Sequence, residues 1–282
     1  MSILRHNACM TDEIDSELPI GVFDSGVGGL TVLKAIQEAL PNENLIYLGD
    51  TARLPYGTKS PVSIERYATQ AAAKLQQQGI KLLVVACNTA SAVALDVLRE
   101  AMAPLPVVGV VEPGATAAVK AHPGGRHLVL ATEATVRLGA YGKAIAERDS
   151  AAEVREQACE MLVSLAEEGW SDGSIARAIV QRYLDEANGH DPDTIILGCT
   201  HFPLLKSTIK EVADESVTLV DSASTTAEVV RTALNANGMM RSSESPGTLR
   251  LLATDGATRF ARVGGQFLGH DLSYSDVELV DL

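Results

Sequence analysis

Basic residues, aromatic residues and cysteines are all scarce in this sequence. Lys and Arg number 23 against 36 Asp and Glu, which gives a formal net charge of −13. Nucleic-acid backbones are bound by clustered Lys and Arg, so this balance argues against nucleic acid as a main partner. An anionic ligand would have to be held by local hydrogen-bond donors against the overall negative field.

Long hydrophobic runs are also missing. No apolar stretch approaches the roughly 20 residues of a membrane-spanning helix, and the first 18 residues lack the apolar core of a signal peptide. Four cysteines without a CxxC motif or a disulfide-like spacing favour a reducing cytoplasm. They are Cys9, Cys87, Cys159 and Cys199. We expect a cytoplasmic protein that does not enter a membrane.

Three kinds of cofactor site are absent from the sequence pattern: pyridoxal phosphate, metal and nucleotide sites. No lysine ends a predicted strand, where a pyridoxal phosphate Schiff base would need one. No His, Asp and Glu residues stand at metal-ligand spacing. The glycine-rich turn at 24–29 fits neither nucleotide motif, because Thr31 stands where a dinucleotide fingerprint needs glycine and Val27 where a phosphate loop needs lysine. We therefore expect no cofactor and no metal.

The chain alternates short apolar runs with amphipathic stretches, which predicts parallel α/β structure. Two such series follow each other. We predict two pseudo-symmetric α/β domains with parallel sheets and an active site in the cleft between them. The predicted bounds are an N-terminal extension over 1–18, a first domain over 19–111 and 221–282, and a second domain over 112–220. Within them we expect a strand over 107–111, a crossing at 112–114 and mostly helical structure over 156–169, with extended chain within 159–165 as the alternative.

Two cysteines follow two of the predicted strands. Cys87 comes after an apolar run that ends at Val85, and Cys199 follows a similar run much later in the chain. A lone cysteine at a strand end is more often a buried structural residue. The second copy favours one site built from two halves. A helix N-terminus next to Cys87 leads us to expect a lowered pKa for its thiol.

Two opposed acid/base groups in a cleft suit racemisation or epimerisation, in which a proton leaves one face of a carbon and another is added to the opposite face. Asp24 ends an earlier strand and His201 follows Cys199 closely, so each is a candidate auxiliary acid or base. Hydroxyls and backbone N–H groups at these strand ends would suit a small dianionic amino acid. The pattern does not choose glutamate over aspartate.

Four segments carry a resemblance to a known family: over about residues 19–269 the chain resembles the glutamate racemase family. They are 21–30 (GVFDSGVGGL), 55–57 (PYG), 86–91 (ACNTAS) and 198–205 (GCTHFPLL). The resemblance implies cofactor-independent interconversion of L- and D-glutamate, which supplies D-glutamate for peptidoglycan. It implies that Cys87 takes the proton from D-glutamate and Cys199 from L-glutamate, assisted by Asp24 and His201 respectively. A homodimer is expected.

The resemblance also implies further site residues. Glu167 matches a family carboxylate near the second histidine. The matched substrate contacts are Asp24, Ser25, Tyr56, Gly57, Asn88, Thr89, Thr132, Thr135, Thr200 and His201. Residues 159–164 read CEMLVS where the family has CPLLVP. The N-terminal extension resembles longer family members, some of which are regulated by a cell-wall precursor.

Other functions stay open at this point. The same cleft would serve a racemase that acts on aspartate, a hydantoin or an arylmalonate. A non-catalytic alternative is an inhibitor of a topoisomerase such as DNA gyrase, in which the charge of −13 mimics nucleic acid. That alternative leaves both strand-end thiols unexplained.

Overall fold

A computed structural model describes residues 14–187 and 191–282. Most of the predicted N-terminal extension, including Cys9, therefore lies outside the described residues. The described residues form the strands β1 (Ile20–Asp24), β2 (Leu45–Gly49), β3 (Leu82–Val85), β4 (Val107–Gly109), β5 (Arg126–Ala131), β6 (Glu153–Ala158), β7 (Thr194–Gly198), β8 (Thr218–Asp221), β9 (Leu249–Ala253) and β10 (Val277–Leu279).

Helices alternate with these strands. They are α1 (Leu30–Ala39), α2 (Pro61–Gln77), α3 (Asn88–Met102), α4 (Val111–Ala121), α5 (Glu133–Leu138), α6 (Ala140–Ala146), α7 (Glu160–Glu168), α8 (Gly173–Glu186), α9 (Lys206–Val212), α10 (Ser222–Ala236) and α11 (Ala257–Leu268). None of the helices in the described part of the chain is both long and apolar enough to cross a membrane.

The strands form two separate sheets in which the described pairings are all parallel. The first has the order β10-β9-β2-β1-β3-β4, and the second has the order β6-β5-β7-β8. The run β2-β1-β3-β4 of the first sheet therefore repeats as β6-β5-β7-β8 in the second. This repeat makes β3 equivalent to β7, and it confirms the predicted α/β class with two pseudo-symmetric parallel sheets.

Helices cover both faces of the first sheet, which is why its central strands are almost entirely apolar. Every residue of β1 and β3 is buried. One face packs against α2 and α3, and the other against α1, α10 and α11. The apolar cluster on the α1, α10 and α11 face continues into the second sheet through Leu128 and Leu197. The two sheets are thereby joined by a continuous apolar core.

Two predicted segments differ in detail from the structure. The strand expected over 107–111 ends at Gly109, and residues 112–114, where a crossing to the second series was expected, form the first turn of α4, which packs against the second sheet. Pro113 is tolerated there because first-turn N–H groups have no partner within the helix. The expected helical structure over 156–169 is confirmed for α7, but residues 156–158 belong to a strand, and the extended chain considered over 159–165 is wrong. That strand, β6, is polar and pairs only with β5, so an edge position explains the missing apolar signal.

The chain returns to the first sheet after completing the second. Asp221 ends β8 in the second sheet, whereas β9 and β10 extend the first sheet beyond β2. The domain bounds at 111/112 and 220/221 stay predictions. What matters for the site is that the carboxyl ends of β1, β3, β5 and β7 all approach one cavity, the usual ligand position in open parallel sheets.

Candidate active site

A cavity of about 90 Å³ lies between the two sheets, next to the ends of β3 and β7. Its wall includes all of the predicted site residues except Asp24 and Thr135, which are buried outside the wall. The predicted residues on the wall are Ser25, Tyr56, Gly57, Cys87, Asn88, Thr89, Thr132, Glu167, Cys199, Thr200 and His201. Both thiols are free, and each residue is 6% exposed.

Cys87 is the N-cap of α3. Its sulfur accepts a hydrogen bond from the Ala90 N–H at 3.4 Å and lies 3.5 Å from the Ser25 hydroxyl oxygen. The expected lowering of its pKa is wrong. Burial and the nearby Asp24 carboxylate raise the pKa of Cys87 to about 12, because they outweigh the two hydrogen bonds that favour the thiolate. Cys87 therefore carries its proton at neutral pH.

Asp24 ends β1 and is 1% exposed. Its Oδ2 accepts hydrogen bonds from the Gly26 N–H at 2.8 Å and from the Tyr47 hydroxyl at 3.4 Å. Burial raises the pKa of Asp24, although His201 and three backbone N–H groups oppose the change. Tyr47, which the sequence analysis did not identify, contacts this carboxylate from the neighbouring strand, and its hydroxyl makes a shorter hydrogen bond of 2.9 Å to the Gly26 carbonyl.

On the second wall, three side chains form a series that begins at Cys199. Nδ1 of His201 lies 3.7 Å from the Cys199 sulfur, and Nε2 lies 3.3 Å from Oε1 of Glu167. Burial opposes the charged imidazole, but its hydrogen bonds with Cys199 and Glu167 raise the pKa of His201 to about 10. The His201 hydrogen bond in turn lowers the pKa of Glu167, with help from Arg259. An imidazolium therefore stands beside Cys199 at neutral pH, and it stabilises negative charge on that sulfur.

The glycine-rich turn after β1 makes room for His201. A Cβ on Gly28 would overlap Nδ1 of His201 and the Thr200 hydroxyl. From the other side, the ring of Phe267 meets the imidazole edge-on, with a centroid distance of 5.3 Å. Elements of the first sheet thus hold a side chain that belongs to the second. The sequence had left the function of this turn open, because it matches no nucleotide motif. The structure shows that the turn allows His201 and Thr200 to pack against it.

Hydroxyl and amide groups connect the two walls on the Cys87 side. The Thr89 and Thr132 hydroxyl oxygens are 3.0 Å apart, and Thr135 lies 3.1 Å from Thr132. Nδ2 of Asn88 donates to the Tyr141 hydroxyl at 2.8 Å. The buried Oδ1 of Asn88 has no hydrogen-bond partner in the described part of the protein. Asn88 lines the cavity, so this oxygen is an unused acceptor next to it.

The loop that contains Tyr56 and Gly57 closes one end of the cavity. The Tyr56 hydroxyl donates to Asp50 rather than into the cavity, so the residue contributes its ring to the wall. Gly57 comes close to the second domain, because a Cβ there would lie 3.3 Å from Thr132. Leu54, a wall residue that the sequence analysis missed, belongs to the same loop.

Glu160 and Val163 are wall residues within the segment that departs from the family pattern. The Glu160 carboxylate accepts a hydrogen bond from the Glu133 N–H in the first turn of α5. Carboxylates are stabilised at helix N-termini. No sequence motif marks this pair, because its members lie on different strand-to-helix connections. The described residues hold no group of three or more His, Cys, Asp or Glu side chains suited to a metal ion.

Comparison with known proteins assigns the family. A family model described as Asp/Glu/Hydantoin racemase matches residues 20–230. Over 263 residues the chain is 49% identical to the glutamate racemase of Geobacter metallireducens, covering 93% of this chain and 96% of the relative. The chain belongs to the glutamate racemase family. The predicted family and the isomerase class of enzyme are thereby confirmed.

Solved structures of the family share the fold. Glutamate racemase from Francisella tularensis, in complex with D-glutamate, is 36% identical with a TM-score of 0.87, covering 94% of this chain and 98% of that one. Escherichia coli glutamate racemase, in complex with L-glutamate and the activator UDP-MurNAc-ala, is 32% identical with a TM-score of 0.72, covering 89% and 95%.

Proposed function

We propose that this chain interconverts L- and D-glutamate by proton transfer between Cys87 and Cys199, without a cofactor, and so supplies D-glutamate for peptidoglycan. The observation that carries the proposal is the equivalence of the two thiols. Each follows the same strand of a repeated four-strand order, and both line one cavity. Two acid/base groups on opposite walls match a reaction that inverts a single carbon.

The reaction balances with the residues present. One thiolate removes the α-proton of glutamate, and the electron pair of the broken C–H bond stays on the substrate, delocalised into its α-carboxylate. The opposite thiol then gives its own proton to the other face of that carbon. The product has inverted configuration, and the two sulfurs have exchanged their protonation states. No external oxidant or reductant is needed.

The electrostatics of the cavity favour one starting arrangement. Cys87 is protonated and can act as the acid. The His201 imidazolium lies beside Cys199, where it stabilises the negative charge that a base at this position carries. In the family assignment this arrangement deprotonates L-glutamate, and the reverse protonation state serves D-glutamate. Asp24 and His201 assist their neighbouring thiols, and Glu167 fixes the charge of His201.

The cavity wall suits a dianionic amino acid without using a basic side chain. Among the described residues the wall contains no Lys or Arg, but it offers hydroxyls from Ser25, Thr89 and Thr200 and the N-terminal end of α3. Such donors bind carboxylates well. The unpaired Oδ1 of Asn88 is placed to accept from the substrate ammonium group. The relatives solved with D- and L-glutamate support glutamate as the substrate.

Three further expectations stay predictions. They are a homodimer, a cytoplasmic location and the regulatory use of the N-terminal extension. Inhibition of DNA gyrase has no supporting observation in the cavity.

The test is racemisation followed by circular dichroism in deuterium oxide. Each enantiomer of glutamate should lose its optical signal, and each product molecule should carry one solvent deuteron at the α-carbon. Enantiopure aspartate, a hydantoin and an arylmalonate serve as comparison substrates. Faster turnover of any of these than of glutamate would assign another substrate. Loss of optical signal without deuterium uptake would exclude proton transfer.

A further inference from the structure

Arg259, which no motif singled out, contacts the Cys199 half of the site from the other domain. It lies on α11, which packs against the first sheet, and its Nη2 donates to Oε2 of Glu167 at 2.7 Å. Glu167 lies on α7 and uses its other oxygen, Oε1, for His201 at 3.3 Å. His201 reaches the Cys199 sulfur at 3.7 Å. Four side chains therefore form one series that crosses the domain interface.

We propose that Arg259 is a positioning residue for the Cys199 half-site, in which it holds the Glu167 carboxylate against His201 from the opposite domain. The inference rests on the proposed racemase function. Arg259 is not part of the cavity wall, so it acts through Glu167 rather than on the substrate.

The division of the two carboxylate oxygens gives the physical reason. A carboxylate with one bonded oxygen rotates freely and turns toward water, whereas two opposed donors fix its plane. With Oε2 held by Arg259, Oε1 stays directed at Nε2 of His201. That bond favours the imidazolium beside Cys199. Helix α11 also places Phe267 against the His201 ring. It therefore constrains both Glu167, through Arg259, and His201, through Phe267.

In the described part of the chain, no Lys or Arg side chain bonds the Asp24 carboxylate of the other half-site. That carboxylate is contacted by neutral donors, which are backbone N–H groups of the glycine-rich turn and the Tyr47 hydroxyl. The two thiols thus stand in electrostatically different environments. Because Arg259 and Glu167 belong to different domains, any opening that separates α11 from α7 by a few ångströms breaks the pair. The charge on the Cys199 side is thereby linked to closure of the cleft.

The charged and titratable groups around the series are few. Glu167 faces His201 and Arg259, and Asp255 lines a neighbouring cavity together with both Glu167 and Arg259. Glu160 shares α7 and the active-site wall with Glu167. His201 faces Cys199, Glu167 and, at longer range, Asp24. Removal of Arg259 takes away the only arginine in this group, and it should raise the pKa of Glu167.

Arg259→Met, Arg259→Lys and Arg262→Met test the inference in the full-length protein. Arg262 lies on the same helix and is exposed, so its variant makes the same change of charge away from the site. For Arg259→Met we expect kcat to fall about three- to tenfold with little change in KM, the range of a partly exposed charged hydrogen bond. The acid limb of the kcat profile should move to higher pH by about half a unit. Arg259→Lys should restore most of the wild-type kcat and of the wild-type position of the acid limb.

A second readout does not depend on turnover. The Glu167 carboxyl carbon, followed by ¹³C nuclear magnetic resonance, should titrate at higher pH in Arg259→Met than in Arg262→Met. If wild-type protein racemises glutamate but the two Met variants share the same kcat, pH profile and Glu167 titration, the Arg259 inference is overturned and the proposed function stands. If the Glu167 titration moves as expected but wild type does not racemise glutamate, the proposed function fails and takes the catalytic part of the inference with it.

Discussion

The Thr31 hydroxyl donates a hydrogen bond to the carbonyl oxygen of Thr200 at 2.9 Å, so the first turn of α1 is tied to the residue that follows Cys199. Both residues are buried. The bond joins two segments that lie in different domains and far apart in the sequence. The geometry of the second thiol therefore depends on the first domain.

Replacement of Thr31 by valine keeps the side-chain shape and removes this bond. The buried Thr200 carbonyl loses a donor, so we expect the free energy of unfolding to fall by about 1–3 kcal/mol. A small shift of the Cys199 segment should lower kcat/KM roughly tenfold. Urea denaturation and racemisation assays measure the two effects. Thr226→Val is the matched control, because that buried hydroxyl bonds only within α10. Equal kcat/KM in both variants would contradict the prediction.

Serine at either catalytic thiol should abolish most racemisation. We expect Cys87→Ser and Cys199→Ser each to lower kcat/KM about 10²–10⁴-fold, the usual contribution of a general acid or base. Both directions should fall together, because the enantiomers have equal free energy and the proposed scheme uses both sulfurs in every turnover. Circular dichroism with each enantiomer measures this. Cys159→Ser is the control, since that buried thiol bonds to the Gln157 carbonyl outside the cavity wall. Full activity in either catalytic variant would exclude the two-base scheme.

A buried ion pair lies at the amino ends of β2 and β3, away from the cavity, and it leads to a prediction about stability. Lys81 and Glu43 bond each other with almost no exposure, and Lys81 also donates to the Ser16 carbonyl. Lys81→Met leaves the Glu43 charge buried without its partner, so we expect a loss of about 3–5 kcal/mol. The double variant with Glu43→Gln should recover part of this loss. Urea denaturation tests it, and a single variant as stable as wild type would contradict it.

His201 should make stability fall at alkaline pH. Its pKa is raised from 6.5 to about 10 in the folded protein, so the folded state binds the proton more tightly than the unfolded state. The stabilisation is fully present below pH 6.5 and is lost as pH rises through 10. The free energy of unfolding of wild type, compared with His201→Asn, should therefore decrease between these two values. A difference that stays constant over this range would show that His201 has an ordinary pKa in the folded state.

Much of the fold was predictable because its signals are local. The apolar runs of β1, β3 and β7 predicted buried parallel strands, and the cysteines that follow β3 and β7 predicted a shared site. The polar edge strand β6 gave no such signal, because only one of its edges is paired and its side chains are largely polar. The start of α4 was not predicted, because Pro113 is typical of a helix end. Proline is nevertheless accepted in the first turn of a helix, where Pro113 lies.

The electrostatics of the site were the least predictable part. The helix N-terminus beside Cys87 suggested a lowered pKa, and the expected Ala90 N–H contact is present. Burial and the Asp24 carboxylate nevertheless raise the pKa of that thiol. Desolvation depends on every atom packed around a group, so no local pattern reports it.

The sequence by itself determined the candidate residues for the proposed chemistry: two thiols after equivalent strands, an aspartate after the first strand and a histidine after the second thiol. Their types and their positions at strand ends are local properties, which periodicity and turn residues reveal. Only the tertiary structure decided which groups support them. Tyr47, Tyr141 and Arg259 reach Asp24, Asn88 and Glu167 from other elements. Such contacts depend on how two domains pack together, and residues distant in the chain leave no common pattern in the sequence.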